Sequence, residues 1–154
     1  MAAYFFDSSA LVKRFARETG TSWVINLLKP TNGNRIYIAR ITYVEVISAI
    51  IRRVKGNSLS QADGAKAVRR FRRAFEQNLL KVEISSKLID TAARLAENYS
   101  LRAYDAVQLA AALEIHVERK NVNARSITLV SADDALNAAA SSEGLIVDNP
   151  NLHP

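Results

Sequence analysis

Short, mainly apolar runs alternate with longer segments of helical period along this chain. The runs are Tyr4-Phe5-Phe6, Arg35-Ile36-Tyr37-Ile38-Ala39, Leu79 to Ile84, Ser126-Ile127-Thr128-Leu129-Val130 and Leu145-Ile146-Val147. Tyr4-Phe5-Phe6, short and without polar interruption, predicts a buried strand of a parallel sheet, and the others are further strand candidates. Between them lie the helical patterns. Ser8 and Ser9 offer capping hydroxyls to a helix that begins at Ala10-Leu11-Val12 and fades near Glu18-Thr19-Gly20. Thr21 or Ser22 can cap a second helix through Trp23, Val24, Leu27 and Leu28, which Pro30 stops before an Asn32-Gly33 turn. Thr42 with Glu45 three positions on has the capping-box pattern, ahead of Val44, Val46, Ile47, Ile50, Ile51 and Val54.

Ser60 opens a helix with Ala62, Ala65, Val68, Phe71 and Phe75 on one side and arginines on the other. Ser85 caps the next, through Leu88, Ile89, Ala92 and Leu95, and an Ala-rich helix runs from Leu101 to Ile115. Ser131 is expected to cap a last helix from about Ala132 to Glu143, which Gly144 ends. Strands alternating with helices predict a three-layer α/β/α fold around a mostly parallel sheet of about five strands. The expected boundaries are one domain over 1–150 and a short tail over 151–154. In such sheets, sites form at the carboxyl ends of the strands. Asp7 follows the first strand directly, and Ser131 and Asp133 follow the fourth.

Composition narrows the chemistry. Of 154 residues, 49% are hydrophobic, enough for one packed core. There is no cysteine, so disulfides, thiolate metal sites and thiol nucleophiles are excluded, which fits a reducing cytoplasm. Met1 is followed by Ala-Ala-Tyr-Phe-Phe-Asp without a basic or long apolar segment, so neither a secretory leader nor a membrane span is expected. The formal net charge is +6, which makes nucleic acid a natural partner.

Four acids stand in apolar surroundings: Asp7 after Phe6, Glu45 between Val44 and Val46, Asp105 before Ala106-Val107, and Asp133 after Ala132. Each has a structural explanation. Asp7 can cap a helix, Glu45 can complete the capping box, and Asp105 and Asp133 can sit favourably at helix starts. Together they suggest more. Desolvated carboxylates brought close repel one another unless a cation joins them. Hard cations such as Mg²⁺ or Mn²⁺ choose carboxylate and water oxygens, whereas two histidines and no cysteine offer little to zinc.

These segments carry a family resemblance. Tyr4 to Lys13, Thr42-Tyr43-Val44-Glu45, Leu101 to Ala106 with Leu109-Ala110, and Ser131-Ala132-Asp133 with Leu136 and Ala139-Ala140 resemble, in order, the motifs of a PIN domain. The closer likeness is to VapC toxins, and Gly144 to Val147 with Asn149-Pro150 extends it. Each motif is short, but four in order span nearly the whole chain. The resemblance implies a PIN-like fold and a metal-dependent endoribonuclease, the toxin of a toxin–antitoxin pair. It implies that Asp7, Glu45, Asp105 and Asp133 form the catalytic, metal-holding pocket. Ser9 and Ser131 would support a carboxylate or a bound water, and Asp134 would be a solvated first-turn acid. It also implies an RNA substrate, a cognate antitoxin and a homodimer.

An acidic pocket repels RNA, so basic flanks are needed. Arg102 adjoins the third motif. Arg52, Arg53, Lys55, Lys66, Arg69, Arg70, Arg72 and Arg73 crowd one region with only Asp63 to offset them. Of these, Arg69, Arg70, Arg72 and Arg73 are, with Arg102, the candidate substrate contacts; a solvated helix face is the plainer account of the same charges. The rival function is a PIN-like module that binds nucleic acid or protein without cutting. A phospho-aspartyl enzyme is disfavoured because Ser8-Ser9, rather than a second acid two positions on, follows Asp7. No glycine-rich phosphate loop supports a nucleotide-triphosphate enzyme.

Overall fold

A computed structural model describes residues 1–154. Five strands, β1 (Ala3–Phe6), β2 (Arg35–Ala39), β3 (Leu80–Val82), β4 (Ile127–Val130) and β5 (Ile146–Asp148), form one sheet in the order β3-β2-β1-β4-β5. Every neighbouring pair is parallel. The helices are α1 (Ser8–Leu11), α2 (Thr21–Leu27), α3 (Thr42–Lys55), α4 (Gln61–Gln77), α5 (Ser86–Tyr99), α6 (Ala103–Asn121) and α7 (Asp134–Ser142). None is long and apolar enough to cross a membrane.

Side-chain alternation in β1 sends Phe5 to one face and Phe6 to the other, and a separate core grows on each. Phe5 joins Leu129, Leu88, Leu95, Leu109 and Leu136, so α5, α6 and α7 cover that side. Phe6 joins Leu11, Val24, Ile50, Phe71 and Phe75, so α1 to α4 cover the other. The three-layer α/β/α architecture is the one expected from the alternating pattern. The chain leaves β1 toward β2 and β3, then returns to place β4 on β1's opposite side. The strand order therefore reverses between β1 and β4, and a crevice opens at their carboxyl ends.

Several local expectations are corrected. The helix after β1 does not run to Glu18: α1 tightens into a 3₁₀ turn at Val12–Arg14. The Thr21 hydroxyl donates to the Lys13 carbonyl at 2.8 Å and so closes that end. Thr21 is thereby unavailable as a cap for α2, and Gly20 takes that place with φ 85°. The capping box at Thr42 is not formed: Ile41 is the cap residue, and Thr42 is buried inside the first turn. Asp133, not Ser131, caps α7, by accepting from the Leu136 amide at 2.8 Å. Helix α6 continues past Ile115 to Asn121, and β3 is shorter than its apolar run. On α4, Gly64 and Ala67 take the inner positions, while Ala62 and Ala65 are exposed.

The last residues pack back on the domain. Pro150–Leu152 forms a 3₁₀ turn, Asn151 accepts from Lys13 Nζ at 2.9 Å, and His153 stacks on Trp23 with ring centroids 4.1 Å apart. Gly20 sits directly beneath this turn, where a β-carbon would overlap the Pro150 carbonyl. Gly20→Ala combines that overlap with a left-handed backbone, so it should destabilise the domain by roughly 2–4 kcal/mol. Urea unfolding of the two proteins checks this; equal midpoints would mean the turn is not docked on Gly20.

Candidate active site

The crevice floor is built around Asp7. This residue ends β1, and its backbone amide donates to the Val130 carbonyl of β4 at 3.2 Å. Its carboxylate caps α1, and Oδ1 accepts from the Ala10 amide at 3.0 Å. The side chain is 2% exposed, yet both oxygens are satisfied. Ser9 Oγ lies 2.7 Å from Oδ1 and 2.9 Å from Oδ2, and Ser131 Oγ donates to Oδ2 at 2.8 Å. Both hydroxyls also accept from the loop after β4. Ser9 Oγ takes the Ala132 amide at 2.9 Å, and Ser131 Oγ takes the Asp133 amide at 3.1 Å. One carboxylate and two serines thus join the ends of the two strands that flank the reversal in strand order.

Glu45 enters from the first turn of α3. Its Oε1 accepts from Gln108 Nε2 at 2.7 Å and its Oε2 from Ser8 Oγ at 3.2 Å. Gln108 donates also to Thr42 Oγ1 at 2.8 Å, and its own Oε1 is buried without a partner. The polar groups that would have made a capping box instead reach across to α6. Asp105 comes from the first turn of α6 and Asp133 from the cap of α7. Glu45, Asp105 and Asp133 line one cleft of about 650 Å³ together with Ser8 and Ser9, while Asp7 lies under its floor.

The acids act on one another across this cleft. Burial pushes the Asp7 carboxyl up to about 6; its hydroxyl and amide donors pull the other way, and the Asp105 carboxylate adds to the rise. Glu45 is raised by burial, against its donors Gln108 and Ser8, and again by Asp105. Asp105 is raised by burial and then by Asp133, with Arg102 opposing. No cation neutralises Asp7. No three of the chain's acidic and histidine side chains lie within reach of one ion. The donor set itself, carboxylate and hydroxyl oxygens alone, is the kind that hard divalent cations take.

Arg102, Arg52 and Arg53 line the same cleft, and Arg53 pairs with Glu18 at 2.6 Å. Arg69, Arg70 and Arg73 do not: they line a separate cavity, and Arg72 is exposed on α4 and lines neither. Three contributors were not singled out from sequence. Gln108 could have been found as the polar residue in the apolar stretch Ala106 to Ala112, three positions after Asp105 and so on its helix face. Lys13, 3% exposed, lines the cleft rim with Asn151, which comes from the far end of the chain. Nothing in the local sequence marks that contact.

A PIN-domain family model matches residues 4–141. The chain belongs to the PIN-domain family. Ribonuclease VapC45 of Mycobacterium tuberculosis (strain CDC 1551 / Oshkosh) is 31% identical over 115 residues, 75% of this chain and 78% of that protein, which places this PIN domain among the VapC proteins. Two solved structures share the fold. PAE2754 from Pyrobaculum aerophilum superposes with a TM-score of 0.62 at 20% identity, covering 95% of this chain and 89% of that one. A toxin-antitoxin complex from Klebsiella pneumoniae gives 0.60 at 19%, covering 96% and 97%.

The raised Asp7 carboxyl has a consequence for this PIN domain without metal. Its folded pKa lies above the ordinary 3.8, so folding holds the proton more tightly than the unfolded chain does. Stability is therefore unaffected by Asp7 below about pH 4, falls as pH rises toward 6 and then levels, a loss of about 3 kcal/mol. Asp7→Asn removes this loss while both serine hydroxyls can turn to accept from the amide. In EDTA the variant should be the more stable protein at pH 7.5, with the gap closing near pH 4. Urea titrations at both pH values decide; a variant weaker at pH 7.5 would show that the carboxylate is not strained by burial.

Proposed function

We propose that this PIN domain is a metal-dependent endoribonuclease, the toxin of a toxin–antitoxin pair. The observation that carries the reading is the shared cleft. Glu45, Asp105 and Asp133 line it, Asp7 underlies it, and burial raises the Asp7, Glu45 and Asp105 carboxyls with no cation beside Asp7. The curated relative named as a ribonuclease and the solved neighbour titled as a toxin–antitoxin complex support the substrate and the partner. Asp7, Glu45, Asp105 and Asp133 are the groups that would hold one or two Mg²⁺ or Mn²⁺ ions, which when bound lower the pKa of water and polarise a phosphoryl oxygen.

The chain's own groups supply the rest. Ser9 and Ser131 fix both Asp7 oxygens, and Gln108 and Ser8 fix Glu45. Asp105, which makes no hydrogen bond that holds its carboxylate, is the acid free to take a proton from the attacking water. Arg102, beside Asp105 at the rim, would meet the phosphate oxygens, which a guanidinium fork binds in pairs. An antitoxin would act by covering this cleft, and the exposed Val44 and Ile51 of α3 offer apolar surface to an antitoxin or a second copy. A toxin that cuts RNA works in the cytoplasm, which the absence of cysteine suits.

Cleavage of single-stranded RNA should require Mg²⁺ or Mn²⁺ and stop in EDTA. Asp105→Asn should lower kcat by more than about 100-fold, since even groups that only orient metal ligands cost 10–100-fold. Gln108→Leu should fall in that smaller range, with a higher metal concentration needed for half-maximal rate. RNA binding without EDTA-sensitive cleavage would instead favour the rival, a PIN-like binding module.

A further inference from the structure

The cations of α4 serve a cavity of their own. Arg69, Arg70 and Arg73 line a hollow of about 320 Å³ together with Lys66 and Arg14. The 3₁₀ turn divides it from the acidic cleft: Val12 and Lys13 face the cleft, whereas Arg14 and Phe15 face the second cavity. No carboxylate lines this cavity, and none of its five cations belongs to an ion pair. Arg14 is partly buried with its guanidinium 5.7 Å from the Phe15 ring centre. Its Nε is sealed from solvent and has no hydrogen-bond partner. A partly buried cation with no counter-charge is unfavourable, and an anion in the cavity relieves it. Burial and the neighbouring Arg70 each push the Arg14 pKa down, in keeping with unrelieved positive charge.

The spacing says what kind of anion. Lys66, Arg69, Arg70 and Arg73 recur at i, i+3, i+4 and i+7, a strip on one side of α4 that rises about 10 Å. A free phosphate or one carboxylate meets one or two of these groups. A chain of phosphodiesters meets them in series, and arginine forks bind phosphate oxygens in pairs.

We propose that this cavity is a second backbone-phosphate site, which grips RNA on the far side of the Val12–Arg14 turn from the carboxylates. The identity of the polymer rests on the nuclease reading; the demand for a polyanion does not. The probe is a fluorescent single-stranded RNA of roughly 20 nucleotides and mixed sequence, followed by anisotropy in EDTA so that nothing is cut. Arg14→Gln with Arg70→Gln should weaken binding about tenfold at roughly 0.1 M salt. The slope of log affinity against log salt should fall by about 1.4, two contacts at about 0.7 each. Lys87→Gln with Lys120→Gln removes the same charge from other surfaces and should change affinity less than about twofold. Arg69→Gln with Arg73→Gln, at exposed positions that cannot upset the core, should repeat the loss. With metal, cleavage of the long RNA should show a raised KM and an unchanged kcat.

Equal losses in the cavity and control pairs would overturn the proposal. So would loss of affinity for polyglutamate with RNA binding intact, which would assign the cavity to a protein partner. Displacement of the RNA by inorganic phosphate at a comparable concentration would make it a free-phosphate site and overturn it equally. A chain that binds RNA through these arginines but never cuts sinks the nuclease reading alone, and one that cuts but ignores them sinks the cavity alone.

Discussion

The carboxylate of Asp7, buried at the end of the central strand, is the constraint around which the rest of this PIN domain is arranged. A carboxylate almost wholly removed from water must have its oxygens satisfied by the protein. The turn after β1 supplies Ser9 and the Ala10 amide, and the end of β4 supplies Ser131. The two serines in turn receive the Ala132 and Asp133 amides, so the loop after β4 is set by the same group. Shape and charge at the cleft floor are one network.

That network outranks local helix signals. Ser131 is next to a helix and could cap it, but its hydroxyl goes to Asp7 and Asp133 caps instead. Thr42 and Glu45 could cap their own helix, but both accept from Gln108 across the core. In each case a buried polar group had a stronger claim on the side chain than an exposed helix end, whose free amides water can satisfy. These departures gather at and beneath the cleft, the pattern expected where function and local preference compete.

Charge is segregated in the same economical way. Acids from the end of β1, α3, α6 and the start of α7 converge on one cleft, and nine of the cations line one or the other of two cavities on either side of a three-residue turn. The acids are held against their mutual repulsion by two cores, one on each face of the sheet. A net charge of +6 is therefore not a diffuse property of the surface. Part of it lies beside the carboxylates and part in a cavity that contains no acid.

The fold class was legible in the sequence because strands and helices differ in hydrophobic period, and the alternation of the two along the chain leaves few topologies. Strand positions, the positions of Asp7 and Asp133 after β1 and β4, and the presence of four acids in apolar settings could all be read from order alone. Convergence could not, because it depends on which strand lies beside which: the crevice exists only because β4 returns to the other side of β1. The partners of Thr42, Glu45, Thr21 and Ser131 were likewise decided in three dimensions. A hydroxyl or carboxylate has several possible partners within a few residues, and only the packed structure shows which of them lies within hydrogen-bond reach. The division of the arginines follows the same logic: Arg52 and Arg53 of α3 and Arg69, Arg70 and Arg73 of α4 crowd one region of the sequence, and only the packed structure shows that the first pair lines the acidic cleft and the others a second cavity.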